Sequence, residues 1–597
     1  MVKFMTQLFT YFMKACSGAL LALASTALLN AAPVHLVDEP VVTHKRLDDG
    51  VILLNFGKVA FGNLKVDVPK SVSGKLKFHF GEAMENERVN RKPPGTVRYQ
   101  VAEVSWGGGE NVVVAPPVDK RNTNHPSAVR LPEEWGVVLP FRWVEIEGWK
   151  GEFKPEWITR QSAYLKAWDG DAAAFQCSDE TLNRIWELCK YSIKATTFAG
   201  IYVDGDRERI PYEADAYINQ LSHYYTDSDK QIARDTYDYL MEKPTWPTEW
   251  APHMVFMAHA DWMHTGDVEW LKPRYEALKS KTLMDRVGPD GWVMSNKKQI
   301  KRDDIVDWPR SERDGYKFTK VNTVVNAFHL KAVSQMADIA TALGEEKDAA
   351  KFMKRYEDGL KLFNDKLWME SKGAYRDGIG TDHAAAHATL FPLAFGLVPQ
   401  NRVDAAVAFL KTKGMACSVY AAQYLMEGLF ENGASEYALQ LMLADGDRSW
   451  RHMVNSGTTI TWEAWDQKYK PNQDWNHAWG AAPGNILPRY VLGVEPVVSG
   501  WSQVKIAPHA GSLKSAEGKV PTPRGAVEVE WAKQGALFTM GCKIPEGMTA
   551  EVSLPGEQGG QVLSPEKVKI QSEYHDGRLV IKDVGPGDHL FIVWPKP

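Results

Sequence analysis

The sequence predicts a multidomain fold, an (α/α)6 barrel flanked by N- and C-terminal antiparallel β-sandwiches. Three observations carry that expectation. Segments of alternating polarity separated by Gly, Pro and Asn run from about Val34 to Lys166, the period-two signature of half-buried strands. From Ser178 to about Leu492 the apolar spacing becomes that of helices, and after Pro496 short alternating segments return. A chain of 597 residues exceeds one ordinary domain, and 44% hydrophobic against 24% charged residues is a globular balance that excludes a disordered chain. A net charge of −5 leaves no basic footprint for nucleic acid or an anionic membrane.

Taken in order, the chain opens on Lys3 and Lys14, an apolar run from Ala15 to Leu29, and small residues at Ala31 and Ala32 before Pro33. That is the layout of a secretory leader, and the run is short for a membrane span of about 20 residues. Residues 1–32 are therefore expected to be a signal peptide, cleaved near Ala32, with the mature protein periplasmic or secreted and free of the membrane. Strands such as Val51-Ile-Leu-Leu-Asn-Phe, Lys75-Leu-Lys-Phe-His-Phe and Phe141-Arg-Trp-Val-Glu-Ile-Glu place the first sandwich at 33–168.

The change at Ser178 puts a cap and two acids ahead of Leu182, Ile185, Trp186 and Cys189. Twelve helices are expected across 169–495, starting near 178, 214, 229, 247, 268, 322, 345, 382, 401, 418, 434 and 474. Without a heptad seam, that number suggests six hairpins closed into a barrel. Gln503-Val-Lys-Ile-Ala, Ala526-Val-Glu-Val-Glu-Trp and Leu590-Phe-Ile-Val-Trp mark the closing sandwich, 496–597. Cys177, Cys189, Cys417 and Cys542 have no metal-type spacing and read as buried thiols.

Long polar loops at 200–213, 287–321 and 445–473 interrupt the helices, and loops of that length in a compact domain tend to be functional. The first carries Asp204, Asp206, Glu208, Glu213 and Asp215 beside Arg207 and Arg209. The third carries Glu463 between Trp462 and Trp465, where loss of hydration is expected to raise its proton affinity. Two carboxylates from separate loops at one barrel mouth are what acetal hydrolysis requires, one giving a proton to the leaving oxygen while the other activates water or attacks. Many of the 22 Trp residues lie near these loops, Trp250 and Trp308 among them, and indole faces stack on sugar rings. Phosphate-cradling glycine loops, a His-Glu-x-x-His helix and a Gly-x-Ser-x-Gly elbow are missing. His383 and His387 are four apart, but a pair without a local third ligand is weak evidence for a metal. No metal and no cofactor are expected.

These residues resemble the α-L-rhamnosidases of glycoside hydrolase family 78, whose signature runs roughly Asp-Cys-Pro-Gln-Arg-(Asp)-Glu-Arg-x-Gly-Trp-Thr-Gly-Asp-Ala. Glu208-Arg209 and Asp215-Ala216 match it with the seven-residue step intact. Phe175 to Trp186, Asp307-Trp308, Asn322-Thr323, Thr458 to Glu463, Asn476-His477 and Ile506-Ala-Pro508 are also similar. The resemblance implies an inverting, exo-acting enzyme that releases terminal α-L-rhamnose, with Glu208 as general acid and Glu463 as general base. It implies that Asp204, Asp215, Asp307, Trp308 and His477 contact the sugar of a rhamnose-containing oligo- or polysaccharide, and Arg207, Trp250, Trp462 and Trp465 are expected to join them from the charge and indoles of the loops. Cys-Pro-Gln is missing and Gly-Trp-Thr-Gly has become Pro211-Tyr212-Glu213-Ala214, departures that lie where the ring is expected to sit. Asp206 and Glu213 are left as either charge balance or altered specificity. Two other readings compete: a lyase or unsaturated-uronide hydrolase on acidic glycans, with Arg207, Arg209, Arg310 and Arg313 holding a carboxylate, and a non-catalytic glycan-binding protein.

Overall fold

The computed structural model describes residues 34–68, 72–107 and 109–594; the expected leader lies outside them. Among the described residues no helix is long and apolar enough to cross a membrane.

Eight N-terminal strands form one antiparallel hydrogen-bonded sheet, in the order Val34–Pro40, Ile158–Leu165, Ile52–Val68, Leu139–Glu147, Gly74–Gly81, Tyr99–Trp106, with Thr43–Arg46 and Gly109–Val114 also pairing with the Ile52–Val68 strand. Register breaks between Asn55 and Ala60, where Gly57 adopts φ +80°, so this strand bends and serves both sides of the sheet. The sheet has its own core around Leu54, Leu64, Phe78, Phe141 and Ile146.

Six helices form a closed inner ring: Glu213–Thr226, His253–Thr265, Thr323–Ala342, His387–Ala394, Val419–Glu431 and Pro483–Ile486, the last continued by Leu487–Leu492. Each packs on the next and the last on the first. Glu180–Thr196, Gln231–Glu242, Val268–Leu271 with Tyr275–Lys279, Glu346–Leu367, Gln400–Lys413 and Ser435–Met442 lie outside them. Composition explains the layers. Thr323–Ala342 is apolar nearly all round and buried, whereas Glu346–Leu367 buries only Phe352, Gly359, Phe363, Asn364 and Leu367 on one face. The first helix is capped by Asp179, whose carboxylate accepts from Thr181 N and Leu182 N at 2.9 and 3.0 Å. Ser178 instead accepts Lys514 N, tying the barrel to the C-terminal domain. The helix expected near 474 begins only at Pro483, and the one near 382 only at His387.

The C-terminal domain stacks a seven-stranded sheet on a five-stranded one. Ala174–Cys177 and Val494–Pro496, which flank the helices in sequence, are strands of these two sheets. One pairing departs from the expected antiparallel pattern: Gln503–Ile506 runs parallel to Thr549–Pro555. The chain crosses to the other sheet through 515–544 between them and re-enters in the same direction. Barrel and C-terminal domain share one continuous apolar core. A separate seam joins the N-terminal sheet to the barrel, with Phe61 stacked on Phe198 at 3.7 Å between centroids, beside Ile201, Val203 and Ile460. That seam ends directly beneath the acidic 204–208 loop.

Candidate active site

The loop after Val203 is closed on itself by Asp204 N to Ile210 O at 3.0 Å and Ile210 N to Asp204 Oδ1 at 2.9 Å. Gly205, at φ +107°, lies so close to the 474–476 loop that a Cβ there would meet Asn476 O at 2.8 Å and Asp474 Oδ2 at 2.9 Å. Only glycine lets the two loops approach this closely. Asp206 is fully buried and takes Arg98 on one oxygen and Arg209 on the other. It is charge balance, tying the barrel loop to the N-terminal sheet. Glu213 is buried too, accepting Thr245 N at 2.8 Å and the Thr245 hydroxyl.

Arg207 occupies the centre. Its Nη1 and Nη2 donate to Glu463 Oε2 and Oε1 at 2.5 and 2.9 Å, and its Nε donates to Glu208 Oε1 at 3.4 Å. Bonded to two nitrogens of one planar guanidinium, those Glu208 and Glu463 oxygens lie no more than about 8 Å apart, a bound that admits both the roughly 5–5.5 Å carboxyl separation of retaining enzymes and the lower part of the roughly 6.5–9.5 Å range of inverting ones. Glu208 is 38% exposed at its side chain, accepts the Tyr212 hydroxyl at 3.0 Å, and lines a cavity of ≈ 790 Å³. A larger cavity of ≈ 880 Å³, between the barrel rim and the C-terminal sheet, contains none of the expected site residues.

Glu463 departs from expectation. Burial between indoles pushes its proton affinity up, but Arg207 and Lys470, the latter 3.0 Å from Oε1, outweigh that and hold the carboxyl down to about 2. It is anionic across the physiological range. His477 is flanked by Asp215 at 2.6 Å and Asp474 at 3.5 Å. Burial lowers its pKa, the two acids raise it, and the net is about 10. Asp204 stays protonated well above the usual carboxylate range, because it is desolvated and close to Glu208.

The structure brings together Asp204, Arg207, Glu208, Asp215, Glu463 and His477, with Trp250 reaching them through its edge-on contact to Tyr212. The other expected sugar contacts pack against or bond to the scaffold. Trp465 is fully buried, donating Nε1 to Cys417 O at 2.7 Å, and Trp462 stacks on Trp475. Asp307 gives its oxygens to His387, Trp308 N and the backbone and hydroxyl of Ser418. It anchors the 305–314 loop to two inner helices. Trp308, partly buried, neighbours that anchor, and among the described residues no bond ties it to Glu208 or Glu463.

Residues the sequence did not single out complete the site. Asp474 and Lys470 face the Glu463 side. Asp304 is buried with both carboxylate oxygens lacking a hydrogen-bond partner among the described residues, as are Asp204 Oδ2, Trp250 Nε1 and Asp474 Oδ2. So many unmatched polar atoms about one mouth fit a polyhydroxylated ligand. Asp474 sits in the same run as His477, so that signal was available. Asp304 had only its closeness to Asp307. Glu463, Asp474 and His477 place ligand-type atoms within 4.8 Å of one another, but Arg207 and Lys470 already supply the cations there.

A closed ring of six helix hairpins with a carboxylate-lined mouth is the architecture of the six-hairpin glycosidases. Comparison with known proteins agrees. The profile described as bacterial alpha-L-rhamnosidase 6 hairpin glycosidase domain matches residues 170–491. The concanavalin-like domain of the same proteins matches 45–164, and their C-terminal domain 493–569. The chain belongs to the bacterial α-L-rhamnosidase family. It is 24% identical over 588 residues to an α-L-rhamnosidase of Alteromonas sp. (strain LOR), covering 88% of this chain and 58% of that one. Among solved structures it resembles the α-L-rhamnosidase from Dictyoglumus thermophilum, with TM-score 0.76, 20% identity, and 94% and 64% of the two chains covered. It also resembles that of Streptomyces avermitilis complexed with L-rhamnose, with TM-score 0.75, 18% identity, and 94% and 54% covered. The chain thus spans about three-fifths of the length of these relatives.

Proposed function

We propose that this protein is an exo-acting, inverting glycoside hydrolase that releases terminal α-L-rhamnose from glycans or glycosides. The observation that carries the reading is one guanidinium bridging two carboxylates in opposite settings: Glu208, open to a cavity, and Glu463, buried and ionised. Glu208 gives its proton to the glycosidic oxygen as the bond to C1 breaks. Glu463 takes a proton from the water that attacks C1 from the opposite face. Asp204, Asp215 and His477 stand at the inner end as partners for ring hydroxyls, and the family membership and the L-rhamnose bound to the Streptomyces relative support the choice of sugar.

The reading is tested by free rhamnose release from an aryl α-L-rhamnoside. Glu208→Gln and Glu463→Gln each lose about 10²–10⁴-fold in kcat while keeping the wild-type circular dichroism spectrum. Full activity in either variant removes that residue from the mechanism, and no release by the wild-type enzyme from any rhamnoside removes the assignment. The enzyme acts outside the cytoplasm on this account, a reading supported by the Ala15–Leu29 run and the small residues before Pro33. Sequencing the exported protein is expected to begin at Pro33; a retained Met1 contradicts export by cleavage.

A further inference from the structure

The cavity beside Glu208 has walls from two domains. Arg121, His125 and Ser127 come from the loop between the Gly109–Val114 and Leu139–Glu147 strands of the N-terminal domain, and Lys243 and Trp246 from the barrel. Its ≈ 790 Å³ is a size typical of small-ligand sites, about 300–1,000 Å³. Because Glu208 forms part of the wall and gives its proton to the leaving oxygen on the reading above, a group bound here is the leaving group.

The charge around it is lopsided. Arg121, which lines it, has only Asp119 as a carboxylate partner among the described residues and shares it with the buried Arg98. Lys243 has no carboxylate partner among the described residues; its ammonium lies 4.7 Å over the Tyr239 ring. Among the described residues Glu208 is the only acid in the lining, against Arg121, Arg207 and Lys243. The lining therefore carries more cations than acids although the chain's net charge is −5, while Asp204, Asp215, Glu463 and Asp474 lie outside it. Trp246, 46% exposed and without an aromatic partner among the described residues, offers an indole face to the cavity. Glu213 fixes the loop carrying both Lys243 and Trp246, through its two bonds to Thr245. Glu213 is one of the residues replacing Gly-Trp-Thr-Gly of the resembling signature, so this departure acts on the leaving-group side.

We propose that the cavity is a leaving-group site for an anionic sugar residue, stacked on Trp246 with its charge facing Lys243 and Arg121. The proposal rests on the glycosidase reading above. Uronates and sulfated sugars share the required charge, and the test separates them. Compared are kcat/KM values for α-L-rhamnosyl-glucuronate, α-L-rhamnosyl-glucose 6-sulfate and neutral α-L-rhamnosyl-glucose, with an aryl α-L-rhamnoside as control. At low salt at least one anionic disaccharide is expected to exceed the neutral one by roughly tenfold. The ratio falls towards one as salt screens the pair and in Lys243→Met, whereas Lys243→Arg retains it. Whichever anion is preferred names the source of the charge. Equal kcat/KM for anionic and neutral disaccharides, or a preference unchanged in Lys243→Met, overturns the proposal while leaving the glycosidase reading intact. No turnover of any substrate, the control included, overturns the reading beneath it.

Discussion

Arg207 sets the working range of the site. Its guanidinium is the strongest force holding Glu463 at about 2, ahead of His477 and Lys470, and a base that acidic is weak. On the proposed mechanism Glu463 acts as base only once substrate loosens its pairing with Arg207. Replacing it with Met removes the dominant counter-charge, so Glu463 binds its proton more readily and the acid limb of the kcat/KM profile moves to higher pH. The expected displacement is about one pH unit or more, since an opposite charge in contact lowers a carboxyl by roughly 1–3 units. An unmoved limb separates Arg207 from the ionisation of Glu463. At this scale the sequence marked both carboxylates, since each sits in a compact motif. It misjudged the surroundings of Glu463, because its main partner, Arg207, lies 256 residues away and leaves no local trace, while Lys470, in the same loop, was passed over. The neighbouring indoles suggested a dry pocket and a raised proton affinity, yet the cations decide.

The loops act as elements through ion pairs of opposite sign. Glu463 is lowered in the folded state, so its stabilisation is present above about 4.5 and lost as pH falls through about 2. His477 is raised, so its stabilisation is complete below about 6.5 and lost as pH rises through about 10. The Tm is therefore expected to peak between these limits and fall on both sides, and Glu463→Gln flattens the acid side only. An acid limb equally steep in that variant means other groups control it. Helices were the most legible elements, because an apolar inner helix and a one-faced outer helix differ in periodicity. Their starts were less so. Asp474, Asn476 and His477 precede a single 3-10 turn at Ala478–Gly480, with His477 extended, and Pro483 then begins the α-helix. The pattern showed polar residues before a helix but not that they are withheld from it.

At the scale of the molecule, the N-terminal sheet completes the active site. Arg98 and Asn122 hold Asp206, Thr96 bonds to the 472–473 backbone, and Glu82 accepts Asn476. Burial, with the nearby Asp206 and Asp474, raises Glu82 to about 8 against its hydrogen bonds from Arg98 N and Asn476, so near neutrality it adds no full negative charge to the mouth. The three-part organisation was readable from the switch between strand and helix periods. The dependence of the barrel mouth on the sheet was not, because it rests on single polar residues far apart in sequence. If Glu208 and Glu463 face each other across a sugar and a water, as proposed, the anomeric configuration of the released sugar is inverted. Proton NMR of the first-formed product from an aryl α-L-rhamnoside reads this: β-L-rhamnose is expected before mutarotation, and α-L-rhamnose formed first contradicts the proposal.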